Sequence, residues 1–199
     1  MKTCLTTIRL PSIAALCLAI TFSCASAPGP IAADSGAAAE IAATEAAIQA
    51  AEQKQFNLIA PSSFEEAVNE KNEAKESMAD GKSAARVMES IAASRSALQR
   101  VNQVGATYSP SLQGILNARR LGLVASAQVH EDQKFSAADK DLQAFGRQME
   151  KGSFKLNAKK AAALEAQYGA AEVGARIVTD LREARLGMER AVDAGAKDK

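Results

Sequence analysis

Two kinds of side chain in this 199-residue sequence stand where they could do chemistry: the thiols of Cys4, Cys17 and Cys24, and the lone imidazole of His130. A thiol becomes a nucleophile or an acyl acceptor when its surroundings present it and activate it. Cys24 follows an apolar run and is flanked by Ser23 and Ala25, small residues that leave its sulfur accessible. No cysteine occurs from Ala25 to Lys199, so a disulfide within that stretch is excluded and Cys24 needs another use. His130 lies beside Glu131 and Asp132, but neighbours one or two positions apart point away from one another on a helix, so the three do not form a ligand face. A solvated helix end is the expected setting, with no metal and no cofactor. A Ser/His/Asp or Cys/His arrangement would need that same histidine, and no nucleophile motif accompanies it.

The residues before Cys24 explain what could position it. Lys2 and Arg9 form a short positive region, Ile13 to Phe22 is an apolar run of ten, and Ser23 to Ala27 are small. Positive, apolar and small blocks in that order make a secretory signal peptide, and the run is far shorter than the ~20 residues that span a bilayer. Two cleavage readings follow. Ala25-Ser26-Ala27 fits the A-x-A rule and would release a soluble protein, whereas Thr21-Phe22-Ser23-Cys24 resembles a bacterial lipobox, with Thr21 where Leu is usual. Cysteine arithmetic favours the second: cleavage before Cys24 discards Cys4 and Cys17 and leaves one thiol at the new N-terminus. The expectation is therefore a lipoprotein signal peptide over residues 1–23, lipidation of Cys24, a flexible tether over 24–36 and a helical domain over 37–199. Several acyl chains anchor firmly, since each buried CH₂ contributes about 0.8 kcal/mol. Ala25 is not the Asp that commonly retains lipoproteins at the inner membrane, which points to the outer membrane facing the periplasm.

Other polar groups read as surface. Glu65, Glu66, Glu70, Glu73 and Glu76 alternate with Lys71 and Lys75 as a solvated helix face, and Arg119-Arg120 and Lys159-Lys160 are basic doublets without interleaved aromatics. The glycines form neither GxGxxG nor GxxxxGK[ST]. A formal net charge of +1 gives no reason to expect nucleic acid as partner, and no small-molecule substrate is indicated.

Helical patterning runs through the rest. With 47% hydrophobic but only 4% aromatic residues and no Trp, the apolar content is mostly small aliphatics, which predicts a long, thin core. A helix is expected from Ala37 to about Leu58, capped by Asp34 or Ser35. After Pro61, a capping box (Ser62 with Glu65, or Ser63 with Glu66) opens a helix that stops at Asp80-Gly81. Ser83 begins a helix whose Val87, Ile91, Ser94, Leu98 and Val101 form a coiled-coil-like seam ended by Gly105. Further helices are predicted from Pro110-Ser111 to about Val129, from Ser136 (with Asp139) to Gly152, and from about Asn157 to Ala194, the last with Leu164, Tyr168, Val173, Ile177, Leu181, Ala184, Met188 and Val192 along one seam. No segment alternates with period two, so the fold class is all-α: antiparallel helical hairpins forming an elongated bundle or short α-solenoid. A shift of 71 residues places Phe64 on Phe135, Met78 on Met149 and Gly81 on Gly152, a pattern produced equally by duplication or by two unrelated Ala-rich hairpins.

Ala60-Pro61-Ser62-Ser63-Phe64-Glu65-Glu66-Ala67, a Gly near the helix end and an Ala-rich second helix resemble the helical domain of unknown function found in bacterial envelope lipoproteins. The resemblance covers roughly Ala51 to Gly105, with a fainter echo from Phe135 to Ala175. It implies an all-helical envelope domain with no catalytic residues. Some members carry the domain ahead of an OmpA-like peptidoglycan-binding domain; no such segment follows here, so that binding is not implied. The expected function is a lipid-anchored envelope protein, not an enzyme, with a structural or protein-interaction role towards an envelope protein or the cell wall. The alternative is a soluble periplasmic helical-repeat module that grips polypeptide as a chaperone does.

Overall fold

The structure is a computed structural model that describes residues 35–155 and 157–197. The signal segment, Cys24, Asp34 and most of the expected tether lie outside the described residues. Among those described there is no strand, and the chain is an all-α bundle. Its elements are α1 (Ser35–Gln53), α2 (Phe56–Ile59), α3 (Pro61–Ala79), α4 (Ala84–Tyr108), a 3₁₀ turn (Ser109–Leu112), α5 (Gln113–Val124), α6 (Ala127–His130), α7 (Asp132–Glu150) and α8 (Ala158–Lys197).

The 71-residue shift is written into the backbone. Gln55 and Ser126 both adopt φ 60°, and Gly81 and Gly152 sit at φ 67° and 66°. Each left-handed residue opens a four-residue helix, closed by Ala60 (φ −133°) or Glu131 (φ −131°), and then a 19-residue helix. The hydrogen bonds match as well: Lys82 N–H donates to Ser77 O at 2.9 Å, and Ser153 N–H to Gln148 O at 3.2 Å, 71 residues on. These six-to-one bonds close the orphan carbonyls of α3 and α7, and the glycines take the positive φ that such an ending requires. The repeat thus runs α1–α4 and α5–α8.

The copies diverge at one place. In the first, Ser109-Pro110 breaks the chain after α4 and redirects it into α5. The residues 71 on are Asp180 and Leu181, neither a breaker, and α8 continues unbroken for 40 residues.

Small residues set the packing. Ala67, Ala97, Ala138, Ala171 and Ala175 are fully buried, and they let the helices approach closely around Leu58, Ile59, Val101, Leu112, Leu142 and Met149. A second cluster (Ala37, Ile41, Ala74, Val87, Ile91) fills the opposite end of α1, α3 and α4. The α4 seam is buried at all five expected positions.

Several expectations are corrected. The predicted first helix is interrupted at Gln55, where neither Gly nor Pro gives warning. The capping box after Pro61 is not formed: no side chain of α3 caps its own first turn, and the Glu150 carboxylate, from the end of α7, instead accepts from Ser62 N–H at 3.2 Å and Ser63 N–H at 2.7 Å. A carboxylate there meets both the free N–H groups and the positive end of the helix. Gly105, expected to end the seam, is the last buried residue of α4 and packs against the Phe56 ring, while the helix itself runs on to Tyr108. The helix expected to open at Ser136 begins at Asp132, so Asp139 is an interior residue.

Candidate functional site

The best-organised polar cluster joins the two repeats at Gln55. Because Gln55 is left-handed, its side chain leaves the α1 axis and meets α5: its Nε2 donates to Leu116 O at 3.2 Å and its Oε1 accepts from Arg119 at 3.2 Å. Arg119 grips Asp139 of α7 in a two-pronged pair, Nε to Oδ1 at 2.8 Å and a terminal nitrogen to Oδ2 at 3.0 Å. From α8, the Tyr168 hydroxyl donates to Asp139 Oδ1 at 2.6 Å. The Phe135 ring covers the group, 5.5 Å from the Arg119 guanidinium carbon and in edge contact with Tyr168 at 5.5 Å between centroids.

Burial decides the chemistry. Tyr168 is fully buried, and the Arg119 and Asp139 side chains are 14% and 22% exposed. Burial pushes the Tyr168 phenol far above its ordinary range, and the hydrogen bond to the Asp139 carboxylate pushes it the same way. For Arg119, burial opposes the charge, but the bond to Asp139 and its negative field outweigh that and leave the guanidinium held more firmly protonated. The Tyr168 phenol therefore stays neutral and the Arg119 guanidinium charged near neutral pH. The arrangement locks α5, α7 and α8 to the turn ahead of α2.

Other expected groups take varied places. His130 ends α6, half-buried, with Glu131 paired to Lys134 at 2.8 Å and Asp132 exposed at the start of α7. No group of three His, Cys, Asp or Glu able to hold a metal occurs among the described residues. Glu66 pairs with Arg100 at 2.6 Å and Glu73 with Arg86, so part of the carboxylate face of α3 ties that helix to α4. Glu45 of α1 accepts from Lys75 at 3.0 Å; that bond, and then the Lys75 charge, hold its carboxyl below the ordinary range. Asn157 caps α8, its Oδ1 accepting from the N–H groups of Lys159 and Lys160, whose side chains stay exposed.

Two open clefts flank this frame. One, of about 420 Å³, lies between the turn at Gln55 and the start of α5 and presents Lys54, Phe56, Gln113, Asn117 and Arg120. The other, of about 260 Å³, lies between α7 and α8 at Phe145, Gln148, Lys160 and Gln167.

The doublet Arg119-Arg120 is therefore split: Arg120 is exposed, whereas Arg119 is committed to the interior. A signal for this exists in the sequence. Leu112, Ile115, Arg119 and Gly122 recur at spacings of three and four, which puts Arg119 on the apolar face of its helix. Asp139, expected beside a helix start, and Tyr168, expected as plain seam, carry no such mark of their pairing. The seam of α8 divides in two: Leu164 and Tyr168 are buried, but Val173, Ile177, Leu181, Met188 and Val192 are 53% to 70% exposed. No protein-family model, curated protein or solved structure matches this chain.

Proposed function

We propose that this chain is an exported, lipid-anchored protein of the bacterial cell envelope with a non-catalytic structural or protein-interaction role. The observation that carries the reading is the order of the first residues: Lys2 and Arg9, the apolar run Ile13 to Phe22, then Ser23-Cys24 with no later cysteine. No helix among the described residues is long and apolar enough to cross a membrane, so in this reading the acylated Cys24 is the attachment. The likeness of Ala60 to Ala67 to the helical domain of envelope lipoproteins supports the same placement, with the outer membrane as the site and an envelope protein or the cell wall as partner.

The chemistry of the bundle is in keeping with a scaffold. Its best-ordered polar cluster spends its donors and acceptors on joining helices, which leaves partner recognition to the surface. A soluble chaperone-like module would favour an apolar groove between hairpins; most of the exposed large apolar residues instead lie along α8, with Met78, Val124 and Val129 scattered singly elsewhere.

Metabolic labelling with a palmitate analogue tests the proposal. Label on the wild-type chain, absent from Cys24→Ala and accompanied by release of that variant from the membrane fraction, is the expected result. A Cys24→Ala protein that stays membrane-bound, or a wild-type chain whose mature form begins at Pro28 without lipid, overturns it.

A further inference from the structure

We infer that the distal half of α8, from Val173 to Val192, is a self-association helix that pairs in parallel with the same segment of a second copy of this chain. From Arg176 to Gly195 no residue of α8 is buried, yet the segment is not patterned as a solvated helix. Val173, Ile177, Leu181, Ala184, Met188 and Val192 follow spacings of four, four, three, four and four. That is an eleven-residue repeat, with Val173 equivalent to Ala184, Ile177 to Met188 and Leu181 to Val192. Eleven residues in three turns is close to the natural helical period, so the six side chains stay on one stripe, about 100° wide, and a partner helix can lie nearly straight along it.

The stripe turns away from the α8 face that packs on the bundle. Leu164, Tyr168, Ala171 and Ala175 define that inner face, and the stripe lies roughly 140° around the helix at 100° per residue. The bundle's own helices therefore cannot cover it. Where Ser109-Pro110 breaks the chain between α4 and α5, the equivalent Asp180-Leu181 lets α8 run on.

Charge and area favour a second copy as the occupant. From Arg176 to Asp193 four arginines and four carboxylates are interspersed, so the segment carries no net charge and does not repel itself. Asp180 and Arg185 border the stripe on opposite flanks, five residues apart, the relation that sets them against each other across a parallel two-helix contact. An antiparallel contact centred on Leu181 and Ala184 would set the Arg185 flank against its own copy and leave Asp180 on the other side, so that this pair could not form. The internal Arg185–Glu189 pair, at 3.0 Å and largely exposed, holds Arg185 only weakly. The large side chains of the stripe are 53% to 70% exposed, and pairing two stripes can cover at most on the order of 500 Å² per copy, a contact at the low end of specific interfaces.

Engineered-cysteine crosslinking tests this, with Val173→Cys, Leu181→Cys and Val192→Cys each compared against the parent, whose own cysteines set the background. All three variants are expected to form, above that background, a disulfide-linked species of twice the mass of the chain as purified. Crosslinking at Leu181→Cys alone would mean an antiparallel contact and overturn the parallel pairing; adducts of any other mass would mean a different occupant and overturn the self-pairing. In sedimentation equilibrium, Leu181→Lys with Met188→Lys should weaken the dimer on the order of a hundredfold or more, because each lysine in a two-helix seam costs stability and a parallel pair would hold four of them. Far-ultraviolet circular dichroism should stay unchanged, since neither side chain packs on the bundle. A parent chain that sediments as a monomer, or a double variant that stays dimeric, overturns the inference.

Discussion

Replacing Asp139 by Ala removes the acceptor shared by Arg119 and Tyr168, and the structure allows the cost to be worked out. Two bonds from Arg119, at 2.8 and 3.0 Å, and one from Tyr168, at 2.6 Å, lose their partner together. Deleting one member of a fully buried ion pair costs about 3–5 kcal/mol, and a stranded buried hydroxyl about 1–3 kcal/mol. The Arg119 side chain keeps 14% of its exposure and retains Gln55, so water and the amide offset part of the loss. A net destabilisation of about 3 kcal/mol follows, which at ~2–4 °C per kcal/mol for a domain of this size lowers Tm by roughly 10 °C. Urea and thermal unfolding, followed at 222 nm, measure it. The decisive comparison is the double variant Arg119→Met with Asp139→Leu, in which apolar groups of similar volume replace both charges. It should recover the share of the loss due to the uncompensated charge, leaving about 1–3 kcal/mol for the buried Tyr168 hydroxyl, which still lacks its acceptor. A single variant costing less than ~1 kcal/mol, or a double variant as costly as the two singles summed, would refute the account of this cluster as a buried lock.

Two further outcomes are expected. Gly146→Ala should destabilise by about 2–3 kcal/mol, because its Cβ would strike the Leu58 carbonyl and lie 2.6 Å from Pro61 Cδ, whereas Gly169→Ala, with nothing within 4 Å, should stabilise by about 0.5–1 kcal/mol; thermal unfolding of the pair checks both. On alkaline titration read by phenolate absorbance, Tyr168 should stay neutral well above pH 10 while the chain is folded, and Tyr168→Phe should remove that late component. Because its folded value lies above the unfolded one, the stability it lends is fully present below about pH 10 and declines as pH rises beyond that; ionisation of Tyr168 near pH 10 with the fold intact would contradict the burial argument.

The helices were legible wherever a residue acts on its own neighbours. Gly81 and Gly152 end helices because only glycine takes the positive φ cheaply, and Ser83 and Asn157 cap from their own side chains. What escaped the sequence is decided by residues far away. Ser62 and Ser63 carry a sound capping pattern, yet Glu150, 88 and 87 positions on, occupies their N–H groups, which Glu65 or Glu66 would have served. Gln55 takes a left-handed turn that nothing local demands, held by Leu116 and Arg119 across 61 and 64 residues. The candidate site was legible only in part: Arg119 falls on an apolar stripe, but Asp139 and Tyr168 meet it through tertiary packing that no spacing rule encodes.

The carboxylate of Glu150 on the first turn of α3 bears on the order in which the chain can settle. Residues 61–79 are synthesised long before residue 150, so α3 must wait with an unfinished start until α7 docks. The earlier half, halted after Tyr108, would also lack the α5 partners that hold Gln55 in its turn. Although the backbone repeats, the two halves share the bonds that finish α3 and hold Gln55, contacts of long sequence separation that should slow folding relative to what the local helical content alone would suggest.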